Sequence, residues 1–108
     1  MVGKINDLFK AKSGKDLNDN TSREFMALIV LADAINRAKS TDGEKVRAAL
    51  AATEISGEQT IMPWKRVKFD DMGQNNDADP VLLQYIGGKF VTISPPQAAV
   101  GEAVWPMK

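Results

Sequence analysis

Between Asp70 and Asp79 the chain sets out Asp70, Asp71, Gln74, Asn75, Asn76, Asp77 and Asp79, an oxygen-rich stretch of the kind that holds calcium. An EF-hand loop needs acidic or Asn ligands at its first, third and fifth positions and Gly at the sixth. Counting back from Gly73 puts Lys68 at the first ligand position, so the template fails and the stretch reads as a solvated turn. Asp33 stands in an apolar environment, but no second acid joins it at helical spacing, so paired acid–base work is unsupported. It reads as the wet or ion-paired side of its helix. Trp64 and Trp105 have faces on which a ligand could stack; in a chain with only two Trp, one Tyr and four Phe they read as core or interface anchors. Met26, Met62 and Met72 read as gap fillers. Gly87-Gly88 is no phosphate loop, because no helix opens after it. Asn20-Thr21-Ser22 matches a glycosylation sequon and carries no catalytic meaning.

Other chemistries fall away on composition. Cys and His are both absent, which removes zinc fingers, thiol nucleophiles and the Ser-His-Asp triad. No metal or cofactor is therefore expected, and the chain is read as a non-enzyme. Lys plus Arg and Asp plus Glu are 14 each, for a net charge of zero; with no basic cluster there is no electrostatic footprint for nucleic acid. The 108 residues suffice for one small domain with a thin margin of stability. The longest apolar run, Phe25 to Ala32, has eight residues, far short of the roughly 20 of a membrane span. The N-terminus, MVGKINDLFKAKSG, lacks the apolar stretch and cleavage site of a signal peptide.

The elements that would position these residues follow from periodicity. Residues 2–12 carry Val2, Ile5, Leu8, Phe9 and Lys12 at helical spacing, with Gly14 as the stop. Residues 15–20 read as a connector. Thr21-Ser22-Arg23-Glu24 fits a capping box with Thr21 as N-cap and Glu24 reaching back, and predicts a helix to about Lys39. Its first half is apolar all round, which predicts a helix wrapped by protein on most sides; Arg37 and Lys39 suit its C-terminus. Thr41-Asp42-Gly43-Glu44 is a second capping box, with Thr41 in the capping place, and opens another helix with Val46, Ala49, Leu50 and Thr53 on one face. After Thr53 the period shortens. Residues 60–70 read as a strand, clearest at Arg66-Val67-Lys68-Phe69. Residues 81–86 and 89–93 flank Gly87-Gly88 as a two-residue hairpin. Pro95-Pro96 closes it, and a tail anchored by Trp105 follows.

Taken in order, these segments resemble the closing part of type I periplasmic binding proteins of the leucine/isoleucine/valine-binding family. The likeness rests on Phe9-Lys10-Ala11-Lys12-Ser13-Gly14, on residues 31–42 (LADAINRAKSTD), on Val46-Arg47-Ala48-Ala49-Leu50, on residues 67–75 (VKFDDMGQN), and on Gln84, Gly87-Gly88-Lys89, Ile93-Ser94-Pro95 and Pro106. Each motif alone is weak; their order and spacing are more specific, and they cover nearly the whole chain.

The resemblance implies an α/β fold: the C-terminal fragment of a two-lobed protein, about three helices followed by a strand and a β-hairpin. It places residues 1–17 and 80–108 in the C-terminal lobe and residues 21–70 in the N-terminal lobe. It implies that the full-length protein closes around a small amino-acid-like solute and delivers it to the permease of an ABC importer. That protein would be periplasmic, its export signal lying upstream of this chain. The family's main ligand contacts also lie upstream, so the nearest candidates here are Thr21, Ser22 and Phe25, beside an inter-lobe crossover. A fragment of this kind would expose apolar surface and self-associate as a homo-oligomer. The other reading left open is a stand-alone small ligand-sensing or interaction domain without catalysis.

Overall fold

The computed structural model describes residues 1–106 and divides the chain into two compact units, Met1–Ala78 and Asp79–Lys108. Three helices open the first unit: α1 (Val2–Ser13), α2 (Asp19–Ala38) and α3 (Gly43–Ala51). Two short strands follow, β1 (Glu54–Ser56) and β2 (Arg66–Lys68), separated by a 3-10 turn at Gly57–Gln59. The second unit is a hairpin of β3 (Leu82–Ile86) and β4 (Lys89–Ser94) with an extended tail. The α/β class and the order of three helices before the strands agree with the sequence reading.

α1 ends where expected, on Gly14 in the left-handed conformation (φ 71°), whose N–H returns to the Lys10 carbonyl. Glycine carries no Cβ penalty there. The start of α2 corrects the expectation. Asn18, not Thr21, is the N-cap: its Oδ1 accepts from Thr21 N–H at 2.9 Å, and Thr21 Oγ1 accepts from Asn18 N–H at 2.9 Å. The reciprocal box exists, but Thr21 fills the role given to Glu24. Both registers place a capping residue three positions ahead of a polar partner. The connector decides between them, because Asn6 Oδ1 accepts from Leu17 N–H at 2.7 Å and holds the chain just ahead of Asn18. The next helix is likewise capped by Asp42, whose side chain accepts from Lys45 N–H at 3.1 Å, and not by Thr41.

The core lies where α2 meets the small sheet. Met26, Val30, Ile55, Ile61 and Val67 are buried together, with Ile5, Leu17, Phe25, Leu50, Met62, Trp64 and Phe69 packed around them. Met26, Val30 and Ala34 recur every four residues along one stripe of α2, as a helix laid on one partner requires. Arg37 extends that stripe and clamps α2 to α3. Its guanidinium donates to Asp33 Oδ2 (2.8 Å), to the Ala49 carbonyl (2.8 Å) and to Thr53 Oγ1 (2.9 Å). Thr53, expected on the face of α3, lies just beyond that helix and is 1% exposed, which the clamp and its own bond to the Ala49 carbonyl (3.2 Å) satisfy.

The strand expected over residues 60–70 is regular only at β2. It pairs antiparallel with β1, a partner the sequence reading did not identify, in the register Glu54↔Lys68, Ile55↔Val67, Ser56↔Arg66. Three residues are too few to show alternation. Gly57 ties the two together: its N–H donates to the Lys65 carbonyl at 2.8 Å. A Cβ there would meet the Trp64 and Lys65 carbonyl oxygens at 2.5 and 2.7 Å. The backbone therefore passes too close for any side chain.

In the second unit β3 and β4 pair antiparallel, Tyr85↔Phe90 and Leu83↔Thr92 on one face, Ile86↔Lys89 and Gln84↔Val91 on the other, with an irregularity at Leu82/Leu83. Gly87 (φ 57°) and Gly88 (φ 81°) supply the two positive φ angles of a type I′ turn, as their sequence implies. Trp105 does not anchor the tail; it is 86% exposed. The tail is held by amide bonds, a reciprocal pair between the Gln84 side chain and the Val104 backbone (2.8 Å each) and Val100 N–H to the Thr92 carbonyl (2.9 Å).

Candidate functional site

The first two turns of α2 carry the three candidate ligand residues. Thr21 is half-buried and its hydroxyl oxygen is engaged by Asn18. Ser22 is half-buried beside it, its N–H donating to the Asn18 carbonyl at 2.9 Å. Phe25 packs against the core. The three share one helix start but serve largely in capping and packing.

Polar networks surround this turn and the loop after β2. Asp16 accepts from Asn6 Nδ2 (2.9 Å) and Lys10 Nζ (3.0 Å), and these bonds, Asn6's first, hold its carboxyl below the ordinary value. Asp70 nucleates the acidic loop: Oδ1 accepts from Met72 N–H and Gln74 N–H (2.9 Å each) and Oδ2 from Asn76 Nδ2 (2.7 Å). The Gln74 backbone bond and then Asn76 lower its pKa. Both oxygens of Asp70 thus point inward to the loop's own N–H groups, the turn chemistry expected of it. Among the described residues no group of three or more acids is placed to hold a metal ion. Arg66 sits between Asp77 and Glu54 (3.2 Å), and its pKa is raised chiefly by the Asp77 hydrogen bond. Asp33 pairs with Arg37, as its position on a paired side implies. Met26 is core, whereas Met72 is 86% exposed and fills no gap.

What stands open is apolar. On α2, away from the buried stripe, Leu28 is 65% exposed, Ile29 41% and Leu31 40%. On the hairpin, Leu83, Tyr85 and Phe90 are 45%, 65% and 74% exposed on a single face. The rings of Tyr85 and Phe90 meet edge to face at 5.2 Å. Monomeric proteins seldom leave such patches without use. Only the run of apolar residues at 25–32 signalled either face in the sequence; the hairpin's open face needed the register.

No family model matches the chain. Known relatives are more informative. Over 97 residues, 89% of its length, the chain is 32% identical to the Leu/Ile/Val-binding protein homolog 7 of Brucella abortus (strain 2308) and of Brucella suis biovar 1 (strain 1330). Against the protein of that name from Brucella melitensis biotype 1 the identity is 31%. The matched stretch is 24% of each relative, so the chain spans about a quarter of the length of the curated relatives it matches. The resemblance drawn from motifs is thereby borne out, and the names that accompany it are those of binding proteins.

Proposed function

We propose that this chain is the C-terminal part of an extracytoplasmic solute-binding protein that delivers a small amino-acid-like solute to an ABC importer. The observation that carries the reading is the open face of α2, an apolar stripe with no partner among the described residues, in a chain whose relatives are about four times as long. In the longer protein, sheet from the rest of the polypeptide covers that stripe. Residues 1–17 and 80–108 belong to one lobe and 21–70 to the other. The start of α2, with Thr21, Ser22 and Phe25, lies at a crossover near the solute. Closure of the lobes traps the solute by hinge motion, a periplasmic location brings it to the permease, and no bond of the solute is changed. On its own, a chain of this length associates with copies of itself through its open faces.

Thermal shift tests the reading, since a solute that binds only the native state raises its melting temperature. A polypeptide of the relatives' length ending in this sequence is expected to gain stability with leucine, isoleucine, valine or a related solute, and the 108-residue chain with none. A saturable shift in the short chain alone, or none in the long one across aliphatic, aromatic and amide solutes, would overturn it.

A further inference from the structure

We propose that Met72 is an oxidation site of this chain: its thioether takes an oxygen atom from a peroxide ahead of Met26 and Met62, and the fold tolerates the sulfoxide. The inference rests on the turn after β2 and is independent of the solute-binding reading.

The chain has no Cys, so no thiol competes for an oxidant, and its five Met are its only sulfur. Their placements differ sharply. Met26 lies in the core at 2% exposure, and Met62 is packed against that core. Met72 is 86% exposed, and its neighbours Asp71, Gly73 and Gln74 are exposed as well. A single thioether among polar groups is ordinary wet surface, unlike the contiguous apolar faces of α2 and the hairpin.

The turn is fastened without the Met72 side chain. Met72 N–H and Gln74 N–H both donate to Asp70 Oδ1 (2.9 Å each), Gly73 N–H donates to the Asp70 carbonyl (2.9 Å), and Asn76 Nδ2 donates to Asp70 Oδ2 (2.7 Å). Gly73 supplies the positive φ (78°). The thioether therefore stands in water on a turn whose bonds do not involve it.

Reactivity follows from that placement. A sulfur lone pair of Met72 attacks one oxygen of hydrogen peroxide. The O–O bond breaks as the S–O bond forms, and the proton left on the transferred oxygen passes to the departing hydroxide, giving water. Sulfur is oxidised and the peroxide reduced. The product is a polar sulfoxide. At Met26 that new dipole would be buried without a partner, which is costly; at Met72 water solvates it. Peroxide reaches Met26 only when the fold opens locally, in a small fraction of molecules.

Peptide mapping of the full 108-residue chain tests the proposal. Trypsin separates the three methionines, because Arg23, Arg37, Arg47, Lys65, Lys68 and Lys89 lie around and between them. In limiting hydrogen peroxide the peptide of residues 69–89 should gain an oxygen at least about tenfold faster than that of residues 24–37, with Met62 between the two. In urea that unfolds the chain all three should react at similar rates, since no packing then separates them. The same order as in the folded chain is expected in a polypeptide of the relatives' length, because polar neighbours keep the turn wet. Oxidation stopped once Met72 is modified should leave the melting temperature unchanged; Met72→Leu given the same dose accounts for any change due to other methionines. Oxidation of Met26 or Met62 ahead of Met72 would overturn the proposal. So would an order that persists in urea, which would assign it to local sequence, or a Met72 protected in the longer polypeptide. A fall of about 4 °C or more that Met72→Leu escapes would show that the fold does not tolerate the sulfoxide.

Discussion

The two sides of α2 are built from the same kinds of residue and have opposite fates. Met26, Val30 and Ala34 are 2%, 7% and 0% exposed, while Leu28 on the far side is 65% exposed. Nothing in hydrophobicity separates Val30 from Leu28; what separates them is a partner. The covered side has the small sheet and α3, fastened by Arg37. The open side has none among the described residues. A helix apolar all round therefore states how many partners it was shaped for, and the structure shows how many this polypeptide supplies.

Paired truncations put that contrast at risk most directly. Met26→Ala should cost about 3 kcal/mol of unfolding free energy in urea titrations followed by circular dichroism, through lost transfer energy and the cavity left behind. Leu28→Ala, four-carbon for one-carbon on the same helix, should stay within about 0.5 kcal/mol. Equal costs would mean that the far side is covered after all. Arg37→Ala removes the polar half of the covered side. It leaves Thr53 with one fewer partner, and a loss of about 1–2 kcal/mol is expected, with little recovery in Arg37→Lys because one ammonium cannot span three acceptors.

The capping register sharpens the contrast by fixing where the helix, and so its two stripes, begins. Asn18→Ala should cost about 1 kcal/mol and Glu24→Ala almost nothing; the reverse order would restore Thr21 as the cap. The smallest effect concerns pH. Asp16 and Asp70 have folded pKa values below their ordinary ones. Their contributions are therefore present above the unfolded carboxylate pKa and are lost as the pH falls through the lowered folded values. Carboxyl chemical shifts followed by NMR should show both midpoints below the ordinary Asp value. Asn6→Ala should move only that of Asp16 upward.

Much of the fold was legible in local pattern. Gly14, the Gly87-Gly88 turn, the three helices and the pairing of residues 81–93 follow from backbone preferences that act within a few residues. What was missed lies in longer reach. Asn18 took the cap from Thr21 because Asn6 holds Leu17, a bond across eleven positions. β1 was invisible because three residues have no period. Arg37 was read as a helix-end cation, and it became a clamp through carbonyl and hydroxyl groups on α3 and just beyond it. Thr21, Ser22 and Phe25 were legible as a helix start and Thr21 as part of its cap; the packing of Phe25 against the core was not, since it depends on neighbours distant in sequence.

By itself the sequence determined that the chain carries no Cys or His, the order of its elements and its likeness to a binding-protein family, because these rest on residue types and short-range spacing. Which half of α2 is buried, which face of the hairpin stays open and which residue caps each helix were decided only in the tertiary structure. Burial is a relation between segments far apart in the chain, and an apolar side chain carries no mark of whether its partner is present.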